Sequence, residues 1–156
     1  MRFLLIDRIT EINPGETAEG IKCWSLDNPI FQDHFPGFPI VPGVMLTESM
    51  AQLSGRLLEE SYYAKFPHAT KVYPILSIIQ KAKFKHFVQP GDQCILKSKV
   101  ISLDNIRGNV TAETYVNDQL MCSATLSFLL GLKSDMEENP FIHKMDEFFH
   151  NIKPKG

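Results

Sequence analysis

Residues 43–66 contain no proline, yet a proline stands at each end of the stretch, Pro42 before it and Pro67 after it. Proline suits the opening of a helix, where its missing N–H would have no partner, and it stops a helix that runs into it. The spacing predicts one helix over 43–66, about 36 Å long at ~1.5 Å per residue. Its first half is apolar nearly all round, through Val44, Met45, Leu46, Met50, Ala51 and Leu53. A helix without a polar stripe has to be covered on most sides. Its second half carries Arg56, Glu59, Glu60 and Lys65 and is expected to emerge into water. Such a chain must wrap something around this helix.

The candidates for wrapping are strands. Residues 2–12 and 17–25 flank the turn Asn13-Pro14-Gly15 and read as a hairpin, with Ile21 and Cys23 on one face and Lys22 and Trp24 on the other. From Val72 to Leu132 nearly everything reads as strand. Ile75 to Ile79 is an apolar run expected to be buried, and Ala82 and Phe84 alternate with Lys81, Lys83 and Lys85. Beyond the turn at Pro90-Gly91-Asp92, Cys94, Leu96, Ser98 and Val100 share a face. Gly108, Val110, Ala112, Thr114 and Val116 line the next strand. After a tight hairpin at Asn117-Asp118, Cys122, Ala124, Leu126, Phe128 and Leu130 face inward. Many inward residues are small, so the sheet can curve closely round a helix. The expected class is α+β, a long central helix wrapped by a curved antiparallel sheet.

A length of 156 residues favours one domain. Residues 1–133 form the expected body. Residues 134–156 form a C-terminal extension, read as a docked amphipathic helix because Phe141, Met145, Phe148, Phe149 and Ile152 recur at helical spacing. A net charge of -2 removes the basic footprint of a nucleic-acid binder. No apolar run approaches the ~18–20 residues of a membrane span. The apolar stretch before Asp7 is too short for a signal peptide. Cys23, Cys94 and Cys122 are odd in number and widely spaced, so they read as reduced core thiols of a cytoplasmic protein.

Chemistry has few places to live. No G-x-G-x-x-G, G-x-x-x-x-G-K-[ST] or G-x-S-x-G is present, and no His/Cys/Asp/Glu cluster has metal-ligand spacing. Of the five histidines, only His34 lies in a proline- and aromatic-rich loop, with Pro29, Pro36, Pro39, Pro42, Phe31, Phe35 and Phe38. A neutral imidazole held by a stiff loop can act as a general base. The N–H of Gly43, at a helix N-terminus, can stabilise a carbonyl oxygen that gathers negative charge. Glu48, among Met45, Leu46 and Met50, can be desolvated enough to stay protonated as an acid. Gln52, one helical turn on, can orient that carboxyl. Spacing alone leaves the plainer readings open. His34 can be a satisfied loop residue and Glu48 a half-exposed one. Lys81, Lys83 and Lys85 can be a solvated strand face, and Tyr73 beside Pro74 a packing residue.

The run from Asp33 through Gln52, D-H-F-P-G-F-P-I-V-P-G-V-M-L-T-E-S-M-A-Q, closely resembles the signature H-F-P-G-x-P-x-x-P-G-x-x-x-x-E-x-x-A-Q. That signature belongs to the β-hydroxyacyl-(acyl-carrier-protein) dehydratases of the FabZ type, which have the hot-dog fold. Leu5-Ile6-Asp7-Arg8-Ile9, Lys81-Ala82-Lys83-Phe84 and Pro90-Gly91-Asp92-Gln93 are similar to further family motifs. The helix-borne acid is Glu, as in the FabZ type, where the decanoyl dehydratase/isomerase type carries Asp.

The resemblance implies a hydro-lyase that removes water from a (3R)-hydroxyacyl thioester to give the trans-2-enoyl thioester, in fatty acid or related lipid or polyene biosynthesis. It implies His34 as the base at C2 and Glu48, from the partner chain, as the acid at the C3 hydroxyl. Gly43 would bind the thioester carbonyl, with Gln52 and Tyr73 also lining the substrate site. It implies no cofactor and no metal, since the substrate rides on the phosphopantetheine of acyl carrier protein. It also implies a homodimer as the minimal unit, a trimer of dimers being left open. Lys81, Lys83 and Lys85 would then dock the acidic carrier. Asp33 stands where the family usually has Gly, Phe38 where a polar or basic residue is common, and Val41 where Met is common. The rival readings are a non-catalytic hot-dog module that binds acyl chains or carrier protein, and a hot-dog thioesterase.

Overall fold

The structure, a computed structural model, describes residues 3–132 and 140–154. The elements run β1 (Arg8–Asn13), β2 (Thr17–Cys23), α1 (Ile30–Asp33), α2 (Gly43–Lys65), β3 (Val72–Phe84), β4 (Gln93–Leu103), β5 (Arg107–Val116), β6 (Gln119–Leu132) and α3 (Pro140–Ile152). The strands form one six-stranded sheet in the order β1-β2-β4-β5-β6-β3, with every neighbouring pair antiparallel. The sheet wraps α2, the arrangement of helix and sheet that the sequence predicts.

The helix begins where Pro42 caps it and gives way at Phe66, just before Pro67. Met50, Leu53, Leu57 and Leu58 are fully buried against the sheet. The small inward residues of β5 do the work expected of them. A Cβ added at Gly108 would lie 2.6 Å from the Leu58 side chain, so only glycine lets helix and sheet come this close. Cys94, Leu96 and Ser98 of β4, the even-numbered residues of β5 from Gly108 to Val116, and those of β6 from Cys122 to Leu130 all face this core. Inside it, the hydroxyls of Ser54 and Ser98 lie 2.8 Å apart and satisfy each other. Asn117 and Asp118 both take positive φ, 47° and 63°, as a two-residue hairpin with right-twisted strands requires.

Four expectations need correction. Val44 is 74% exposed, on the outer side of an opening turn whose Met45 and Leu46 are buried. Arg56 and Glu59 do not emerge into water. Their side chains are only 11% and 12% exposed, paired with each other and covered by α3. In β2 the inward residues are Ala18 and Gly20, with Trp24 buried just beyond, so Ile21 and Cys23 belong to the outer face and Cys23 is exposed. Finally, Ile75, Ile78 and Ile79 are 47%, 49% and 50% exposed. They lie on β3, an edge strand, beyond which no strand of the described residues pairs.

Of the helical stripe expected in the C-terminal extension, Phe149 is buried, and Phe148 and Ile152 pack against the core. The side chains of Phe141 and Met145 lie outside the described residues.

Candidate active site

Backbone pairing holds the His34 loop rigid. Phe35 and Phe38 exchange N–H···O bonds of 3.1 and 2.9 Å across Pro36-Gly37, and Gly37 takes the positive φ of 78° that this turn demands. The Ile40 N–H donates to the His34 carbonyl at 3.0 Å, and the Val41 N–H ties the loop to Val88 at 2.8 Å. The imidazole stacks on Phe35, with ring centroids 4.2 Å apart. Its Nδ1 lies 3.0 Å from the Ile40 carbonyl oxygen. A carbonyl only accepts, so Nδ1 must carry the hydrogen. Neutral His34 therefore presents a bare lone pair on Nε2, the state a base needs.

Glu48 stands in the second turn of α2, with one side towards a cavity of about 410 Å³. Gln52, four residues on, donates from its amide nitrogen to Glu48 Oε1 at 2.9 Å. The same nitrogen donates to the Phe3 carbonyl at 3.2 Å, while Gln52 Oε1 accepts the Leu5 N–H at 2.8 Å. The backbone at Leu5 thus fixes which way the amide points, and the amide fixes the carboxyl. The cavity continues along small residues of α2, Ala51 and Gly55, beneath Tyr73, Pro74, Ile75 and Leu76 of β3 and Phe128 of β6. Its far end is polar, formed by Arg56 and Glu59. Burial pushes the Glu59 carboxyl up from its ordinary range, against the opposing pull of Arg56.

Gly43 is the first residue of α2, so its N–H has no carbonyl of its own helix to bond. The Phe84 ring closes over it. A Cβ at this position would lie 2.8 Å from that ring, so any larger residue would have to push the half-exposed Phe84 side chain aside.

One chain thus brings Glu48, Gln52 and Tyr73 to a single cavity, whereas His34 does not line it. Lys81, Lys83 and Lys85 are exposed. The first two flank a shallow groove with Thr111, Glu113, Ser123 and Thr125, so a carboxylate shares the basic patch. Among the described residues, no group of three or more His, Cys, Asp or Glu could hold a metal ion, and no helix is long and apolar enough to cross a membrane. Sequence reasoning missed Asp146 and Phe149 of α3, which also line the cavity. The helical spacing around them signalled a docked face, but nothing in it named the surface they dock on.

Known proteins resemble this chain in sequence and in fold. A family model, the FabA-like domain, matches residues 1–125. The chain is 38% identical over 130 residues to the 3-hydroxyacyl-[acyl-carrier-protein] dehydratase FabZ of Caldicellulosiruptor saccharolyticus, covering 82% of this chain and 88% of that protein. It is 43% identical over 130 residues to the protein of the same name from a Sulfurovum species, covering 82% and 87%. Among solved structures it resembles the dehydratase heterocomplex ApeI:P from Xenorhabdus doucetiae, with a TM-score of 0.68 and 15% identity over 87% of this chain and 88% of that one. It also resembles a hypothetical thioesterase with coenzyme A from Streptococcus pneumoniae, with a TM-score of 0.63 and 10% identity over 80% and 85%. Those two likenesses bear on the fold alone, which is the hot-dog fold. On the sequence matches, the chain belongs to the FabA-like family, among the dehydratases named FabZ.

Proposed function

We propose that this chain is a 3-hydroxyacyl-[acyl-carrier-protein] dehydratase, a hydro-lyase of fatty acid or related lipid synthesis. The observation that carries the reading is Glu48, held by Gln52 at the wall of a largely apolar cavity. Nε2 of His34 takes the C2 proton of a (3R)-hydroxyacyl thioester, and the electrons of that C–H bond form the C2–C3 double bond. The C3–O bond breaks as Glu48 gives its proton to the departing hydroxyl. The products are water and the trans-2-enoyl thioester, and the proton on His34 returns to Glu48 through solvent. Negative charge gathers on the thioester oxygen, where the Gly43 N–H stabilises it. Gln52 positions the acid, and Tyr73 lines the path of the acyl chain. Only protons and a hydroxyl move, so these groups suffice without a cofactor or metal.

The minimal unit in this reading is a homodimer joined along β3. The half-exposed Ile75, Ile78 and Ile79 support it, because an apolar, unpaired sheet edge is a template for a second strand. His34 of one protomer then faces Glu48 of the other. Acyl carrier protein delivers the substrate on its phosphopantetheine arm and docks on Lys81, Lys83 and Lys85. The protein works in the cytoplasm, a placement supported by three cysteines that form no disulfide.

The test is direct. The protein is mixed with a short 3-hydroxyacyl thioester, and the absorbance of the enoyl product is followed. Appearance of enoyl absorbance is expected. Release of free thiol without it would mean a thioesterase, and binding without either product would mean a non-catalytic acyl-binding module.

A further inference from the structure

The C-terminal helix α3 lies beyond residues 1–125, the span matched by the family model, and yet it enters the cavity that holds Glu48. Phe149 is only 7% exposed, and its ring lies 5.6 Å from the Arg56 guanidinium. One turn earlier, Asp146 Oδ2 lies 3.5 Å from the Tyr73 hydroxyl, which donates to it. Lys153, just past the end of α3, pairs with Glu60 and fastens the helix down at its far end. These contacts cluster at one end of the cavity, the end remote from Glu48. We infer that α3 is a chain-length stop, with Phe149 and Asp146 closing the acyl cavity over the Arg56–Glu59 pair. The inference rests on the acyl substrate proposed above.

The cavity runs along one face of α2, from Glu48 past Gln52 to Arg56. Arg56 lies eight residues beyond Glu48, about 12 Å along the axis at ~1.5 Å per residue. An extended chain advances about 1.2 Å per bond, since a residue of three backbone bonds spans at most ~3.6 Å. That distance accommodates roughly ten bonds beyond the carbon facing Glu48. A longer alkyl chain meets two carboxylates, a guanidinium and a phenol, none of which gains from contact with a methyl group. Displacing α3 would also strip the cover from Arg56 and Glu59 and leave this buried pair partly unsupported. Short and medium chains fit; long chains do not.

Turnover is measured for eight-carbon and sixteen-carbon 3-hydroxyacyl groups on acyl carrier protein, with the intact protein and with Phe149→Ala and Asp146→Leu. The intact protein should favour the eight-carbon substrate by about tenfold or more in kcat/KM. Each variant should raise the ratio of sixteen- to eight-carbon kcat/KM by about tenfold, a shift that general destabilisation would not produce, because it lowers both rates together. Should Phe149→Ala not fold, Asp146→Leu and the ratio of the intact protein still decide. Equal turnover of both lengths by the intact protein overturns the stop and leaves the dehydratase reading standing. So does a ratio unmoved in every variant that folds. Failure of the intact protein to turn over either substrate overturns the dehydratase reading itself, and the stop with it.

Discussion

Glu48 looks into a cavity walled by α2, β3, β6 and α3 of its own chain, whereas His34 sits on a loop whose Phe35 and Phe38 are 51% and 48% exposed. Each group is held by backbone. Gln52 anchors the acid to Leu5, and the Ile40 carbonyl anchors the base. The contrast lies in what surrounds the held group. The acid half has walls, while the base half has apolar side chains turned outwards, with Phe87 (65% exposed) against Phe38 and with Phe84 (52% exposed) over Gly43. Exposed apolar surface of this extent supports the dimer proposed above. In the proposed dimer, one chain would carry two half-sites, and the described residues wall in only the one at Glu48.

The largest effects should come from the reacting groups themselves. His34→Ala and Glu48→Gln should each lower turnover by roughly 10²–10⁴-fold, the usual contribution of a general acid or base, with the circular dichroism spectrum retained. Near-normal turnover in either variant would remove that half from the site. A charge placed on the β3 edge tests the missing walls. Ile78→Lys, at a half-exposed position, should leave a folded monomer by light scattering, with activity reduced about as far as in His34→Ala. A fully active monomer would mean that the exposed His34 loop needs no partner.

Gln52→Leu sharpens the acid half. It frees Glu48 Oε1 and leaves the Leu5 N–H without its acceptor. A fall of about tenfold in kcat with little change in KM is expected, matching roughly 1.4 kcal/mol of lost orientation. A change confined to KM would make Gln52 a substrate contact instead. The smallest effect belongs to the lysine face, outside both halves. Replacing Lys81, Lys83 and Lys85 by Glu should slow turnover of carrier-bound substrate several-fold at low salt, and less at high salt, as screening predicts. A pantetheine thioester should be hardly affected. Equal losses on both substrates would assign the lysines to the fold.

Much of this contrast was legible in the sequence. The proline brackets set the limits of α2 because they act locally, and the inward faces of β4, β5 and β6 followed from alternation because one face of each is covered by α2. His34 and Glu48 stood out because the whole run from Asp33 to Gln52 resembles the FabZ signature, whereas their residue types and spacing alone left the plainer readings open. The run Ile75 to Ile79 misled for a physical reason. An apolar stretch reports that it avoids water, not whether its cover comes from its own chain or another. Arg56 and Glu59 misled likewise, because their charges argued for solvent. What keeps them from it is a helix that arrives some eighty residues later in the chain, and no local pattern records that (the Arg56–Glu59 pair is local to α2, but the Phe149 ring arrives only with α3). Cys23 sat in a plausible alternation read one residue out of phase, which moves a whole strand to its other face.

The proposal that two chains share each active site has a decisive measurement. His34→Ala and Glu48→Gln chains, each inactive alone, are co-expressed so that mixed dimers form, and the purified mixture is assayed for enoyl product. In a mixed dimer, one site combines the intact His34 of one protomer with the intact Glu48 of its partner, while the other site carries both substitutions. With random pairing in a two-fold dimer, activity should recover to about a quarter of that of the unmodified protein. Activity no higher than that of either parent, in a sample shown to contain mixed dimers, would place His34 and Glu48 of each site on the same chain.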